Sequence, residues 1–176
     1  MSQYISLTAI GKDKPGLVSA IAKVLFEYKC NIEESTMTIL HGQFAMILIL
    51  KLPANVAAKV LYAKLQKSAK SLDMSFSYSP LSSYSPKKRA FSNPYIISVY
   101  GSDKPGIVYN ISAYLAQHKI NITDVQTTVS KKTYMMLIEA DFPKKLSAET
   151  VSKELAVLAR SLNVAVSLNR AESADI

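Results

Sequence analysis

The chain has 176 residues, 49% of them hydrophobic, a single cysteine, and 21 Lys and Arg against 13 Asp and Glu, for a net charge of +8. That size and composition suit one or two globular domains. The longest apolar run, Phe44 to Leu50, is too short to span a bilayer, and no basic stretch followed by an apolar core stands at the start to suggest a signal peptide. The lone Cys30 excludes an internal disulfide framework, fits a reducing cytoplasm, and falls at an apolar position where a buried inert thiol is expected.

Ile5, Leu7 and Ala9 alternate with Ser6 and Thr8, so residues 4–10 read as a half-buried strand. Gly11-Lys12-Asp13-Lys14-Pro15-Gly16 follows as a strand-to-helix turn. Leu17, Val18, Ile21, Val24, Leu25 and Tyr28 then share one helical face. Residues 31–40, rich in Thr and β-branched types, read as a second strand, and Gly42 marks a hairpin into a third strand over 44–52. Pro53 stops that strand, residues 56–72 read as a second helix with Leu61, Leu65 and Leu72 inward, and residues 74–78 close the unit.

The whole pattern returns 90 positions later. Gly101-Ser102-Asp103-Lys104-Pro105-Gly106 repeats the turn, Asn31-Ile32 matches Asn121-Ile122, Met46 matches Met136 and Pro53 matches Pro143. Ile107, Val108, Ile111, Tyr114, Leu115 and His118 repeat the helical face. A duplication of this length is a tandem pair of units. The fold expected is α+β, two ferredoxin-like βαββαβ units, each a four-stranded antiparallel sheet with two helices on one face. The units are expected at 1–78 and 94–170, with a Ser/Pro/Lys-rich linker at 79–93 and a frayed tail at 171–176.

Each turn has the makings of an anion site. Pro15 and Pro105 suit the first helical position, Lys14 and Lys104 precede proline and should sit just outside the helix, and Asp13 and Asp103 are placed to cap it. Free amides at a positive helix end suit a carboxylate.

Residues 1–78 carry nine basic and five acidic residues (+4), residues 79–93 add +3 through Lys87-Lys88-Arg89, and residues 94–176 carry nine against eight (+1). Charge spread in this way lacks the dense basic run that would argue for nucleic acid. Lys59, Lys64, Lys67 and Lys70 fall on one side of the second helix and read as a solvated face. Ile47 and Ile49 point to the sheet face opposite the helices, which predicts cover by another domain or subunit and a homodimer.

No catalytic pattern emerges. His41 and His118 have no partners at metal-ligand spacing, no phosphate-binding glycine motif or nucleophile elbow is present, and the adjacent Glu33 and Glu34 should point to opposite strand faces. A non-enzymatic protein without a cofactor or metal is expected. The alternatives are a ligand-free assembly module and a nucleic-acid-binding module on the same sheet, but for the latter the third strands, Gln43 to Ile47 and Thr133 to Leu137, lack stacking aromatics at the required spacing.

Strand, D-K-P-G turn, helix and Asn-Ile, twice over in βαββαβ order, resemble the ACT domain family. A stand-alone pair with Cys30-Asn31-Ile32-Glu33-Glu34-Ser35 in its first copy is similar to the glycine cleavage system repressor group. The resemblance implies a cytoplasmic regulator that binds a small amino acid where two domains meet and acts through a protein partner, a transcription regulator. It implies contacts from Gly11, Asp13, Lys14, Pro15 and Gly16 with Asn121, and from Gly101, Asp103, Lys104, Pro105 and Gly106 with Asn31. The strand directions agree: in a βαβ unit the turn after the first strand lies at the opposite end from the start of the second.

Overall fold

The computed structural model describes residues 3–82, 84, 93–130 and 133–171, without the side chain of Lys70. The predicted linker residues Lys87, Lys88 and Arg89 and the tail from 172 onward lie outside the described residues. The chain divides into two compact units, Met1–Lys87 and Lys88–Ile176. The first consists of β1 (Gln3–Lys12), α1 (Leu17–Glu27), β2 (Asn31–Leu40), β3 (Gln43–Leu52), α2 (Ala58–Leu72) and β4 (Met74–Leu81). The second consists of β5 (Pro94–Ser102), α3 (Ile107–Gln117), β6 (Asn121–Ser130), β7 (Thr133–Asp141), α4 (Ala148–Leu162) and β8 (Val164–Arg170).

Each unit has the predicted α+β, βαββαβ architecture. Its sheet is wholly antiparallel, ordered β2-β3-β1-β4 in the first unit and β6-β7-β5-β8 in the second. Alternation explains the layering. Ile5, Leu7 and Ala9 of β1 and Phe44, Met46, Leu48 and Leu50 of β3 point to one face and form one core with Leu17, Ile21 and Leu25 of α1 and Leu61 and Leu65 of α2. The second core repeats the arrangement with Ile97, Val99, Met136, Ile138, Ile111, Leu115, Val151 and Leu155. Both helices therefore lie on one face of each sheet.

The hairpin at Gly42 is as expected, with His41 at φ 48° and Gly42 at φ 74°. Two positive-φ residues in succession are what a tight two-residue hairpin requires. Three expectations are corrected. Val18 and Val108, placed on the buried face, are 43% and 48% exposed, because they fall at the margin of the stripe in the first helical turn. The alternation assigned to Glu33 and Glu34 fails at an irregularity between Ile32 and Glu34, matched between Ile122 and Asp124. A bulge of this kind puts two residues of one strand opposite one of the other. The last strand of the first unit runs on to Leu81 rather than ending at Tyr78.

On the face away from the helices Ile47 is 46% exposed and Ile49 is half-buried. The edge strands β2 and β6 are exposed along most of their length. Cys30 is half-buried, and burial pushes its thiol pKa up.

Candidate functional site

The predicted turn residues come together at one end of each sheet. Gly11 is still in the ladder, paired with Phe44 on one side and Met74 on the other. A Cβ there would collide with the Asp73 carbonyl oxygen and stand 2.8 Å from Met74 Cγ, so only glycine lets β4 approach so closely. Gly101 is in the same position, with a Cβ meeting Val164 Cγ1 at 2.8 Å and Val164 Cα at 2.9 Å.

The helix start differs from expectation in both units. α1 begins at Leu17 behind Gly16 at φ 94°, and α3 begins at Ile107 behind Gly106 at φ 96°; neither has a side-chain cap. Asp13 and Asp103 are therefore not capping residues, and Pro15 and Pro105 lie in the turn two residues ahead of the first helical position. A left-handed glycine between proline and helix turns the chain and leaves Asp outside the first turn. The first-turn amides gain no side-chain cap, which leaves them available to a small anion.

Each loop has its own contacts among the described residues. In the first, the Asp13 amide donates to the Gly42 carbonyl at 2.8 Å and Lys14 Nζ donates to the Ser71 carbonyl at 3.3 Å, at the end of α2. In the second, Asp103, Lys104, Pro105 and Gly106 line an open concavity of about 320 Å³ with Ile107, Val108 and Tyr134. That volume is at the lower end of the range for small-molecule sites. Tyr134 is buried and donates to Met136 Sδ at 3.3 Å; burial and then the nearby Asp103 carboxylate push its phenol pKa up. Sequence reading missed Tyr134. Its signal was the strand register, which sets it directly across from Gly101.

Neither asparagine is near its own unit's loop. Asn31 pairs with Lys51, which pairs with Tyr4, so Asn31 is level with the beginning of β1 while the loop follows its end at Lys12. Eight residues of strand separate the two levels, roughly 25 Å at about 3.3 Å per residue. Asn121, Asp141 and Pro94 repeat the geometry in the second unit. Asn31 Nδ2 donates to Glu33 Oε1 at 2.9 Å, and its carboxamide oxygen accepts no hydrogen bond among the described residues.

No group of three or more His, Cys, Asp and Glu among the described residues could hold a metal ion, and no helix among them is long and apolar enough to cross a membrane. His118, for which the sequence shows no partner at metal-ligand spacing, has hydrogen-bonding neighbours instead: Nδ1 lies 2.9 Å from the Tyr114 carbonyl and Nε2 3.3 Å from Glu154 Oε2. Tyr114 Oη donates to the same Glu154 oxygen at 2.8 Å. Burial, reinforced by that bond, raises the Tyr114 pKa. This cluster ties α3 to α4 and is structural.

A family model described as ACT domain matches residues 3–79 and again residues 93–169. The chain belongs to the ACT domain family. Both ACT domains of the chain align with the glycine cleavage system transcriptional repressor of Escherichia coli K12, 24% identical over 179 residues, covering 94% of this chain and 89% of that protein. A UPF0237 protein of Methanopyrus kandleri is 40% identical over 67 residues, 38% of this chain and 74% of its own. Among solved structures, an unknown protein from Galdieria sulphuraria superposes with a TM-score of 0.78 at 26% identity, covering 98% of this chain and all of that one.

Proposed function

We propose that the chain is a non-enzymatic cytoplasmic regulator that binds a small amino acid, glycine or a close relative, at the D-K-P-G turns of its ACT domains. Binding shifts how the domains pack and alters contact with a protein partner, a transcription regulator. The observation that carries the reading is the doubled, uncapped helix start behind Gly16 and Gly106. Its free amides suit a carboxylate, and Asp13 or Asp103 suits an ammonium. Asn31 and Asn121, each at the far end of its own sheet, serve a neighbouring domain's loop in this reading: Asn121 with Gly11, Asp13, Lys14, Pro15 and Gly16, and Asn31 with Gly101, Asp103, Lys104, Pro105 and Gly106. The neighbour is the other repeat or a second chain of a homodimer. The kinship with the Escherichia coli repressor supports a role in glycine-linked transcriptional control.

Calorimetric titration of the full chain with a panel of amino acids tests the ligand. The expected result is heat from glycine or a small relative, lost in Asp103→Ala. Neither heat nor thermal shift from any of them at millimolar concentration would remove it.

A further inference from the structure

The second helices of the two units occupy the same place in the fold but carry opposite chemistry. α2 has four lysines and no acidic residue, whereas α4 has Glu149, Lys153, Glu154 and Arg160, which cancel. At matched positions Lys59 stands for Glu149 and Lys64 for Glu154. On α4 these charges are engaged: Glu149 with Lys153 at 2.7 Å, and Glu154 with Tyr114 and His118. On α2 the ammonium groups of Lys59, Lys64 and Lys67 have no hydrogen bond or ion pair among the described residues.

Their placement costs stability. Lys59 is in the first turn of α2, where the positive end of the helix dipole opposes a cation, and that turn holds no acidic residue to compensate. α4 shows the favourable alternative, Glu149 in its first turn behind a Ser147 cap. Lys64 and Lys67 are three residues apart, so they repel each other along the helix. A merely solvated face has no reason to accept both penalties.

The three lysines also surround a concavity of about 320 Å³, whose other walls are Tyr28 at the end of α1, Val60 and Ala63. Val60 is 53% exposed there. We propose that this groove is the docking surface for an acidic, amphipathic segment of a partner protein, its carboxylates meeting the lysines and its apolar side chains covering Val60, Ala63 and Tyr28. The apolar floor decides the class of partner: a phosphate backbone would meet the lysines but leave Val60 without cover. This rests on the reading that the chain works through a protein partner and is independent of which amino acid it binds.

The test uses the full chain and a fluorescent peptide of about five helical turns, with Leu on one face and Glu on the flanks. Anisotropy should report binding that K59E/K64E/K67E weakens by about tenfold or more. K144E/K145E/R170E, which makes the same change in net charge elsewhere, should leave binding within about twofold. A peptide with Lys in place of Glu should bind the reversed groove in preference to the native one. Amide chemical shifts should move at Tyr28, Val60 and Ala63. The proposal is overturned if the peptide does not bind, if both triple variants weaken it equally, or if single-stranded DNA binds the groove more tightly than the peptide does. If the reversed variant melts early, the Lys→Gln triple, with the same readouts, replaces it. Amino-acid titration of the same proteins separates the two readings: a failed groove leaves that heat intact, and a failed ligand site leaves peptide binding intact.

Discussion

The two units share a skeleton and divide over their surfaces. Residue for residue, β1 meets β3 and β4 as β5 meets β7 and β8, the bulge falls at the same point, and a left-handed glycine opens α1 and α3 alike. Yet Phe44 stands where Tyr134 stands, Lys14 of the first loop is fastened to Ser71 with no such bond at Lys104 among the described residues, and α2 is cationic where α4 is balanced. Packing demands the same side-chain volumes in the same places and leaves the solvent side free to diverge. A duplicated domain thus keeps one architecture while the surfaces of its copies diverge.

The largest break in this likeness should come from the shared glycines. Gly11→Ala and Gly101→Ala each force a methyl into the neighbouring strand and should cost about 1–3 kcal/mol. Gly11→Ala should cost more, because its methyl strikes a backbone carbonyl, whereas at Gly101 the nearest atom is a side-chain methyl of Val164. Thermal melts of the two variants check both the loss and its order.

Next comes the outer sheet face. Ile47→Lys with Ile49→Lys should raise the monomer fraction in light scattering, if that face carries the proposed homodimer contact; an unchanged mass and melt would mean that the side chains are simply exposed. A smaller effect tests the α3–α4 cluster. Glu154→Lys gives the second unit the first unit's charge and deprives Tyr114 and His118 of their acceptor. The melt should fall by the equivalent of about 0.5–1.5 kcal/mol, while Lys64→Glu, at the matching position, should leave it unchanged or raised.

The smallest difference is a titration. The hydrogen bond to Glu34, at 2.7 Å, pushes the Tyr84 phenol up to about 12, with desolvation and the charges of Glu34 and Glu33 adding to it. The folded state favours the neutral phenol, so this contribution is present below the ordinary value of 10 and lost as pH rises from 10 toward 12. An ultraviolet phenolate titration of the native chain minus Tyr84→Phe should show one late-titrating tyrosine.

Much of this was legible because it is local or periodic. Alternation in Ile5, Leu7 and Ala9, the 3.6-residue spacing of Leu17, Ile21 and Leu25, and the doubled turn fix strand, helix and repeat without reference to anything distant. What was not legible depended on contacts across the sheet. Asp13 looked like a cap because Asp commonly is one, but Gly16 takes the left-handed conformation at the helix boundary instead. Gly11 looked like a turn residue and proved to be a strand residue hemmed in by Met74, 63 positions away. Tyr134 enters the second concavity only through its register with Gly101. The bulge after Ile32 has no signature in the run Asn31 to Ser35.

The central position of β1 and β5 has a consequence for how the chain is made. β1 is partnered by β4, its neighbour farthest along the chain, so each unit closes only when its last strand arrives. Such distant pairings are slow to form, and two sheets of one design in a single chain invite strands to close on the wrong copy. The order of synthesis works against that exchange. β4 ends at Leu81 and β5 begins at Pro94, so the ribosome delivers all four strands of the first sheet before any strand of the second exists. During refolding from denaturant both sets are present at once, and that head start is gone.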